Sequence, residues 1–480
     1  MELYNSEVRR KEKFKTLKDR QVTIYTCGPT VYHFQHIGNY RTYVSWDLLV
    51  KFLRFSDYTV NHVMNITDVG HLTQDDLLSS DAGEDKMEKA AKRDNKTVWD
   101  VAKFYTDDFL EGFEKLHVSM PNTVCKATDH IPGMIVMIEK LIENKKAYVT
   151  KSGVYFDIQA FPEYGRLSGN TLDELAVGAS GRVEDLEDKK SPHDFALWVL
   201  GKEQSMMWDS PWGRGYPGWH IECSAMSNEF LGEHIDIHGG AIDNKFPHHE
   251  CEIAQSECAA PNKKLPFVKY WMHAGHMTVE GEKMAKSKGN VYLLGDVEAQ
   301  GFTMQELRFF YLRSHYRSSS DFTWKELSSA KESLKSIHRF VDRLEGVKGD
   351  GVISMVFSKE INSFLGDVVV SLEDDLGTPE AFAHVFEFMT KINSRMDAGE
   401  LNEAEAKVVV QLWKTLDTVF GVLFPWEVAV VPDTVELLAR KRLEAKKEKD
   451  FGEADRLRGE IEVMGYVVED TGEGYVVRKR

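Results

Sequence analysis

Residues 21–39, QVTIYTCGPTVYHFQHIGN, contain the join that decides the fold. The first six residues are β-branched or apolar in the main and stop at Cys27-Gly28-Pro29. That is a strand running into a loop, because glycine and proline interrupt regular pairing. Past the loop, Val44, Leu48, Leu49, Phe52 and Leu53 recur at helical spacing. Residues 59–64 are a second strand candidate, ending at Asn65-Ile66-Thr67-Asp68. Strand, glycine-bearing loop, helix and strand is the opening of a parallel α/β sheet, where ligands sit beyond the carboxyl ends of the strands. Residues 27–39 and 65–68 fall at those ends.

Working outward, residues 1–120 and 201–300 read as two halves of one Rossmann-type core, with 121–200 inserted between them. Ile235-Asp236-Ile237 before His238-Gly239-Gly240 marks the sheet resuming. From 303 to 424 the pattern is helical, with candidate faces Phe364, Val368, Leu372 and Val409, Leu412, Leu416. Breaks at Phe424-Pro425-Trp426 and Val431-Pro432 divide a helical region, 301–428, from a small terminal domain, 429–480. The terminal domain reads as a short helical stretch followed by strand candidates at 466–468 and 475–477.

The 480 residues are 42% hydrophobic with 10 Trp, ample material for several packed cores. A net charge of −17 excludes a generally basic nucleic-acid coat protein but leaves room for a local basic surface. No stretch resembles a secretory signal or a bilayer span. The five cysteines, Cys27, Cys125, Cys223, Cys251 and Cys258, suit reduced thiols or metal ligands better than a disulfide framework. These features predict a cytosolic protein with no membrane partner.

Three segments carry chemistry. In His248-His249-Glu250-Cys251-Glu252, His248 and Glu252 lie one helical turn apart and could share a metal ion, with Cys27 and Cys223 as thiolate donors. A solvated acidic turn beside buried cysteines explains the same letters equally well. His36-Ile37-Gly38-Asn39 precedes a helix, where glycine lets backbone approach a nucleotide and His36 can meet phosphate. Lys283-Met284-Ala285-Lys286-Ser287-Lys288-Gly289-Asn290 is a cationic loop able to close over pyrophosphate, or simply an exposed basic loop. Residues 440–449, RKRLEAKKEK, add a basic run that suits a phosphate backbone or a solvent-facing helix.

Taken in order, these segments resemble the cysteinyl-tRNA synthetases. The likeness rests on Cys27-Gly28-Pro29-Thr30-Val31-Tyr32, residues 36–39, 65–68, 218–226, His238-Gly239-Gly240, 246–252, 283–290 and Glu469-Asp470-Thr471. It implies a class I Rossmann core, a helical bundle and a small anticodon-binding domain. It implies one zinc ion on Cys27, Cys223, His248 and Glu252, to which the substrate thiolate binds directly. Serine is then rejected because its hydroxyl is a poor zinc donor. It further implies ATP, with Mg2+, at Gly28, Thr30, His36, Gly38, Asn39 and Lys286, and catalytic contacts from His36, Asn39, Lys283 and Lys286. Trp219 and His238 become the walls of the amino-acid pocket, with Thr67 near the substrate's polar end, and L-cysteine, ATP and tRNA(Cys) the partners of a monomer.

Two positions depart from the family pattern. Asn39 replaces the second histidine of the first signature and Ala285 the serine of the lysine loop. Function is expected to survive both, since asparagine also donates a hydrogen bond and the lysines remain. A cysteine ligase of mycothiol biosynthesis would share the core but lack residues 435–480. A degenerate zinc- and nucleotide-binding protein would not need His36, Lys283, Lys286 and all four zinc ligands.

Overall fold

Strand β1, Gln21–Thr26, is buried on both faces from Ile24 onward, which is why its sequence alternates so little. It lies at the centre of a five-stranded sheet with β2 (Thr59–Ile66), β3 (Thr123–Lys126), β4 (Ile235–Ala241) and β5 (Val268–Ala274). The order across the sheet is β5-β4-β1-β2-β3, and every pairing is parallel. From β1 the chain steps outward to β2 and β3; from β4 it steps the other way to β5. The reversal opens a crevice at the carboxyl ends of β1 and β4, where open α/β sheets bind ligands. The α/β expectation holds. The computed structural model describes residues 1–69, 85–170, 188–201, 204–260, 265–284, 288–426, 432–471 and 474–479.

Three helices frame the crevice: α1 (Ile37–Phe55) after β1, α2 (Trp219–Leu231) before β4, and α3 (His248–Ala259) before β5. The sheet takes its edge strand, β3, from residues read as insertion. Four residues, TVCK, are too few to display an alternation. The inserted chain forms a separate antiparallel sheet of Ala147–Val149, Gly153–Phe156, Phe195–Leu200 and Gly215–Pro217, running beyond residue 200.

Helices α4 (Trp324–Glu345), α5 (Met355–Glu373), α6 (Thr378–Asp397) and α7 (Glu403–Phe420) form the bundle. Each sends one ring to a shared core. Phe364 stacks on Phe388 with centroids 4.1 Å apart, and Trp413 lies 5.0 Å from Phe340 and 5.7 Å from Phe364. The expected faces at Phe364, Val368, Leu372 and Val409, Leu412, Leu416 are all buried.

Residues 1–424 make one compact unit and 425–480 another, the division falling at the Phe424-Pro425 break rather than at 428. In the second unit, α8 (Asp433–Lys447) and α9 (Phe451–Val463) precede a hairpin of Tyr466–Thr471 and Gly474–Lys479. Val435, Ala439, Ile461 and Val468 are its core. Arg442, within the basic run, is buried, so that run does not present all its cations to solvent. Among the described residues no helix is long and apolar enough to cross a membrane.

Arg308, on the helix Met304–Leu312, and Asp47 of α1 form an ion pair at 2.6 Å with no exposure of either side chain. The guanidinium also donates to the carbonyls of Phe420, Leu116 and His117. Burial alone would raise the Asp47 carboxyl, but Arg308 and Lys51 outweigh it and hold it below its ordinary 3.8. Removing Arg308 leaves Lys51 as the cation beside the buried carboxylate and takes a donor from three carbonyls, so Arg308→Ala should cost about 3–5 kcal/mol, read by urea unfolding of the full chain. Because the folded carboxyl is depressed, this contribution is complete above about pH 4 and is lost as pH falls below it. A loss under about 1 kcal/mol at pH 7 would remove the pair from the account of stability.

Candidate functional site

The crevice is built from glycines as much as from polar side chains. Cys27 follows β1, and its N–H donates to the Gly239 carbonyl on β4 at 3.1 Å. A Cβ on Gly28 would lie 1.6 Å from the Asn65 carbonyl oxygen, so only glycine lets the turn pass the end of β2. The Gly28 N–H donates to the Asn65 side chain at 2.9 Å, and the Pro29 carbonyl accepts from Thr67 N–H at 3.0 Å. On β4, a Cβ at Gly240 would meet the His249 ring at 2.7 Å, and one at Gly239 would press on Trp46 at 3.1 Å. The paired glycines clear both faces of β4: one for α3, the other for α1.

Into this space converge four side chains from three separate stretches. One donor atom each from Cys27, Cys223, His248 and Glu252 lies within 4.8 Å of all the others, and all four residues are buried. Cys223 comes from α2, while His248 and Glu252 sit one turn apart on α3 with their Nε2 and Oε1 atoms 3.0 Å apart. A second group, Cys27, His238, His249 and Glu252, meets the same distance test. Its histidines link the cluster to its surroundings. His238 Nε2 meets Glu252 Oε2 at 2.9 Å, and the His238 ring stacks on Trp271 at 4.6 Å. His249 bridges Cys27 Sγ at 3.2 Å and His273 at 2.9 Å, and His273 reaches Ser6 Oγ at 2.8 Å.

The electrostatics follow from complete burial. Desolvation raises the Cys27 thiol to about 11, with Glu252 adding to the rise and Cys223 opposing it. Desolvation likewise pushes Cys223 well above the ordinary thiol range. For Glu252, burial would raise the carboxyl, but His238 and His248 win and hold it at about 2. For His248, burial works against protonation, yet Glu252 and Cys223 lift it to about 10. His249, buried among other imidazoles, is driven well below its ordinary range. Two soft sulfurs, one nitrogen and one carboxylate oxygen at this separation make a four-donor set whose chemistry fits zinc.

The pocket-wall expectations distribute around this cluster. The Trp219 ring lies 4.6 Å from His248, and fully buried His238 touches Glu252. Thr67 borders α2, its hydroxyl donating to Glu222 Oε2 at 3.1 Å. Sequence reasoning passed over His249, His273, Ser6 and Trp271. His249 stood beside His248 in the quoted segment, while His273 and Trp271 share one face of β5 opposite Gly240 and His238.

The nucleotide signatures meet at the start of α1. His36 is the N-cap: its Nδ1 accepts from Asn39 N–H at 3.2 Å, and Asn39 Oδ1 accepts from His36 N–H at 3.0 Å. Asn39 thus closes a reciprocal capping box. Here its oxygen accepts, where a donor role was expected. Nδ1 as acceptor places the proton of a neutral His36 on Nε2. Residues 36 and 37 pair with 293 and 292, and a Cβ on Gly38 would fall 2.3 Å from the Met284 methyl. The lysine segment therefore borders the first signature. Thr30 bridges Thr67 in parallel pairing. Lys283 is exposed, 3.6 Å from Asp243. Lys286 and Ala285 lie outside the described residues.

Comparison with known proteins places this geometry. The family described as tRNA synthetases class I (C) catalytic domain matches residues 13–332. A DALR domain matches 368–424, and a cysteinyl-tRNA ligase anticodon binding domain matches 430–478. A cysteine–tRNA ligase of Chlorobaculum tepidum is 40% identical, matched over 100% of this chain and 99% of its own. One from Thermus thermophilus is 41% identical over 98% of each. Among solved structures, a Mycobacterium tuberculosis methionyl-tRNA synthetase in complex with methionyl-adenylate superposes with TM-score 0.58 at 14% identity, covering 83% of this chain and 89% of its own. That likeness is one of fold.

In the metal-free protein at pH 7 the elevated thiols and His248 hold their protons. Metal uptake should therefore release about three protons, measurable by calorimetry in buffers of different ionisation enthalpy. Uptake without proton release would show that other atoms bind the ion.

Proposed function

The chain belongs to the cysteine–tRNA ligases, class I aminoacyl-tRNA synthetases, and from that premise we propose that it makes cysteinyl-adenylate from L-cysteine and ATP and passes the cysteine to the 3′ end of tRNA(Cys), reading the substrate by its sulfur. The observation that carries the sulfur reading is the convergence of Cys27, Cys223, His248 and Glu252, wholly buried, at the sheet crevice. These residues would hold one zinc ion. Zinc there supplies a soft electrophilic centre that keeps a thiol ionised and takes a hydroxyl poorly.

The chain's own residues do the rest. Glu252, fixed by His238 and His248, keeps a negative charge in a dry site and so orients the donor set. Trp219 and His238 border the cluster with flat faces that exclude water from the substrate side chain, and Thr67 contributes near its polar end. ATP, with Mg2+, lies along Gly28, Thr30, Gly38 and the start of α1. A carboxylate oxygen of cysteine attacks the α-phosphorus, the bond to the β-phosphate bridging oxygen breaks, and pyrophosphate leaves. His36 donates from Nε2 to phosphate, Asn39 holds His36 in that posture through the capping box, and Lys283 and Lys286 offset charge on the departing pyrophosphate. A ribose hydroxyl of the tRNA then attacks the cysteinyl carbonyl and AMP leaves. The protein works as a cytoplasmic monomer.

Cys223→Ser should lose zinc and cysteine-dependent ATP–pyrophosphate exchange together. Full metal content with an unaltered exchange rate would sink the ligand assignment. Removing residues 425–480 should spare exchange and impair charging of tRNA(Cys) by roughly a hundredfold or more, as loss of a cluster of nucleic-acid contacts does. Parallel loss of both would give that unit a folding role instead.

A further inference from the structure

A chain with net charge −17 must gather its cations locally to hold a polyanion, and one such gathering flanks the crevice. The helix Lys86–Asp94 turns Met87, Ala90 and Ala91 inward and carries Lys86, Lys89, Lys92 and Arg93, followed by Lys96. Lys89, Lys92 and Lys96 are exposed. Of the two acids on this helix, Asp94 is already paired with Arg93 at 2.6 Å. The helix is tied to the mouth of the crevice, because Arg93 Nη2 donates to the Tyr32 carbonyl at 3.1 Å, four residues before His36.

Exposed rings share this surface. Phe34, Phe104 and Trp99 are 36%, 41% and 50% exposed, and they lie beside the cations rather than apart from them. Phe34 meets Phe104 edge-on at 5.9 Å, the Lys96 ammonium sits 3.7 Å above the Phe104 ring, and Lys86 lies 5.5 Å from the Tyr32 ring. Trp99 reaches across to Trp208, near the inserted sheet, at 6.4 Å. Cations interleaved with accessible rings are the chemistry that holds single-stranded nucleic acid: ammonium groups follow the phosphates, and rings stack on unpaired bases without reading them.

We propose that this face receives the single-stranded 3′ end of the tRNA on its way into the crevice. Lys89, Lys92 and Lys96 face its phosphates, and Phe34, Phe104 and Trp99 offer rings to its last unpaired bases. The inference rests on the tRNA-charging reading above and deepens it. The face adjoins residues 32–36 through the Arg93–Tyr32 contact, next to the His36 cap at the crevice where a terminal ribose would attack.

The test uses the full chain and three measurements: cysteine-dependent ATP–pyrophosphate exchange, KM for tRNA in charging, and affinity for an RNA acceptor hairpin with or without its single-stranded tail. Lys89→Glu with Lys92→Glu should leave exchange unchanged and raise the KM for tRNA roughly tenfold. It should also lower the slope of log Kd against log salt by about two. Trp99→Ala should reduce binding of the tailed hairpin roughly tenfold and leave the blunt one unaffected. Should charge reversal disturb folding, the milder pair Lys89→Gln with Lys92→Gln is expected to move KM and the salt slope in the same directions. An unchanged KM with intact exchange would leave the face to a protein partner and overturn the assignment, as would equal losses for tailed and blunt hairpins. Absence of exchange in the unaltered enzyme would instead overturn the charging reading itself.

Discussion

Glu252 is a carboxylate with no exposure, held at about 2 by His238 on one side and His248 on the other. A buried charge of this kind survives only when every neighbour is arranged for it. That arrangement explains much of the surrounding sequence. Gly240 must be bare so that His249 can enter beside it, and His249 in turn bridges Cys27 to His273 and Ser6. Gly28 must be bare so that the Cys27 turn can cross the end of β2. The two halves of the sheet are thereby fastened together by polar contacts that a dry, low-dielectric interior strengthens.

The same crevice brings the Cys27–Glu252 cluster and the start of α1 into one frame. His36 and Asn39 direct their local hydrogen bonds at each other, which fixes the ring at the head of α1. Arg41, one turn later, donates to the carbonyls of Gly275, His276, His315 and Ser318, drawing the chain on either side of the lysine segment toward α1. Burial lowers this guanidinium to about 10, so it stays charged at neutral pH. Pairing of residues 36–37 with 292–293 completes the closure.

Much of this was legible from the letters. The junction at Cys27-Gly28-Pro29 announced the strand end, and the faces at Phe364 and Val409 announced the bundle. The convergence of Cys27, Cys223, His248 and Glu252 was not readable from spacing alone, since 196 positions separate Cys27 from Cys223 and only the folded sheet closes that gap. Strand β3 was hidden because four residues show no period. The capping role of Asn39 was hidden because a cap is a property of backbone angles, with His36 extended at φ −87° and ψ 166°. His273 and Trp271 looked like ordinary strand residues until β5 was paired with β4.

Arg308 has a wider consequence. One guanidinium joins α1, the end of α7 and the chain at Leu116 and His117. A catalytic core severed from its bundle would keep the cation and lose the acceptor at Phe420. The two regions are therefore poor candidates for exchange as independent modules. Damage deep in the bundle should register as weakened amino-acid activation, far from any reacting atom.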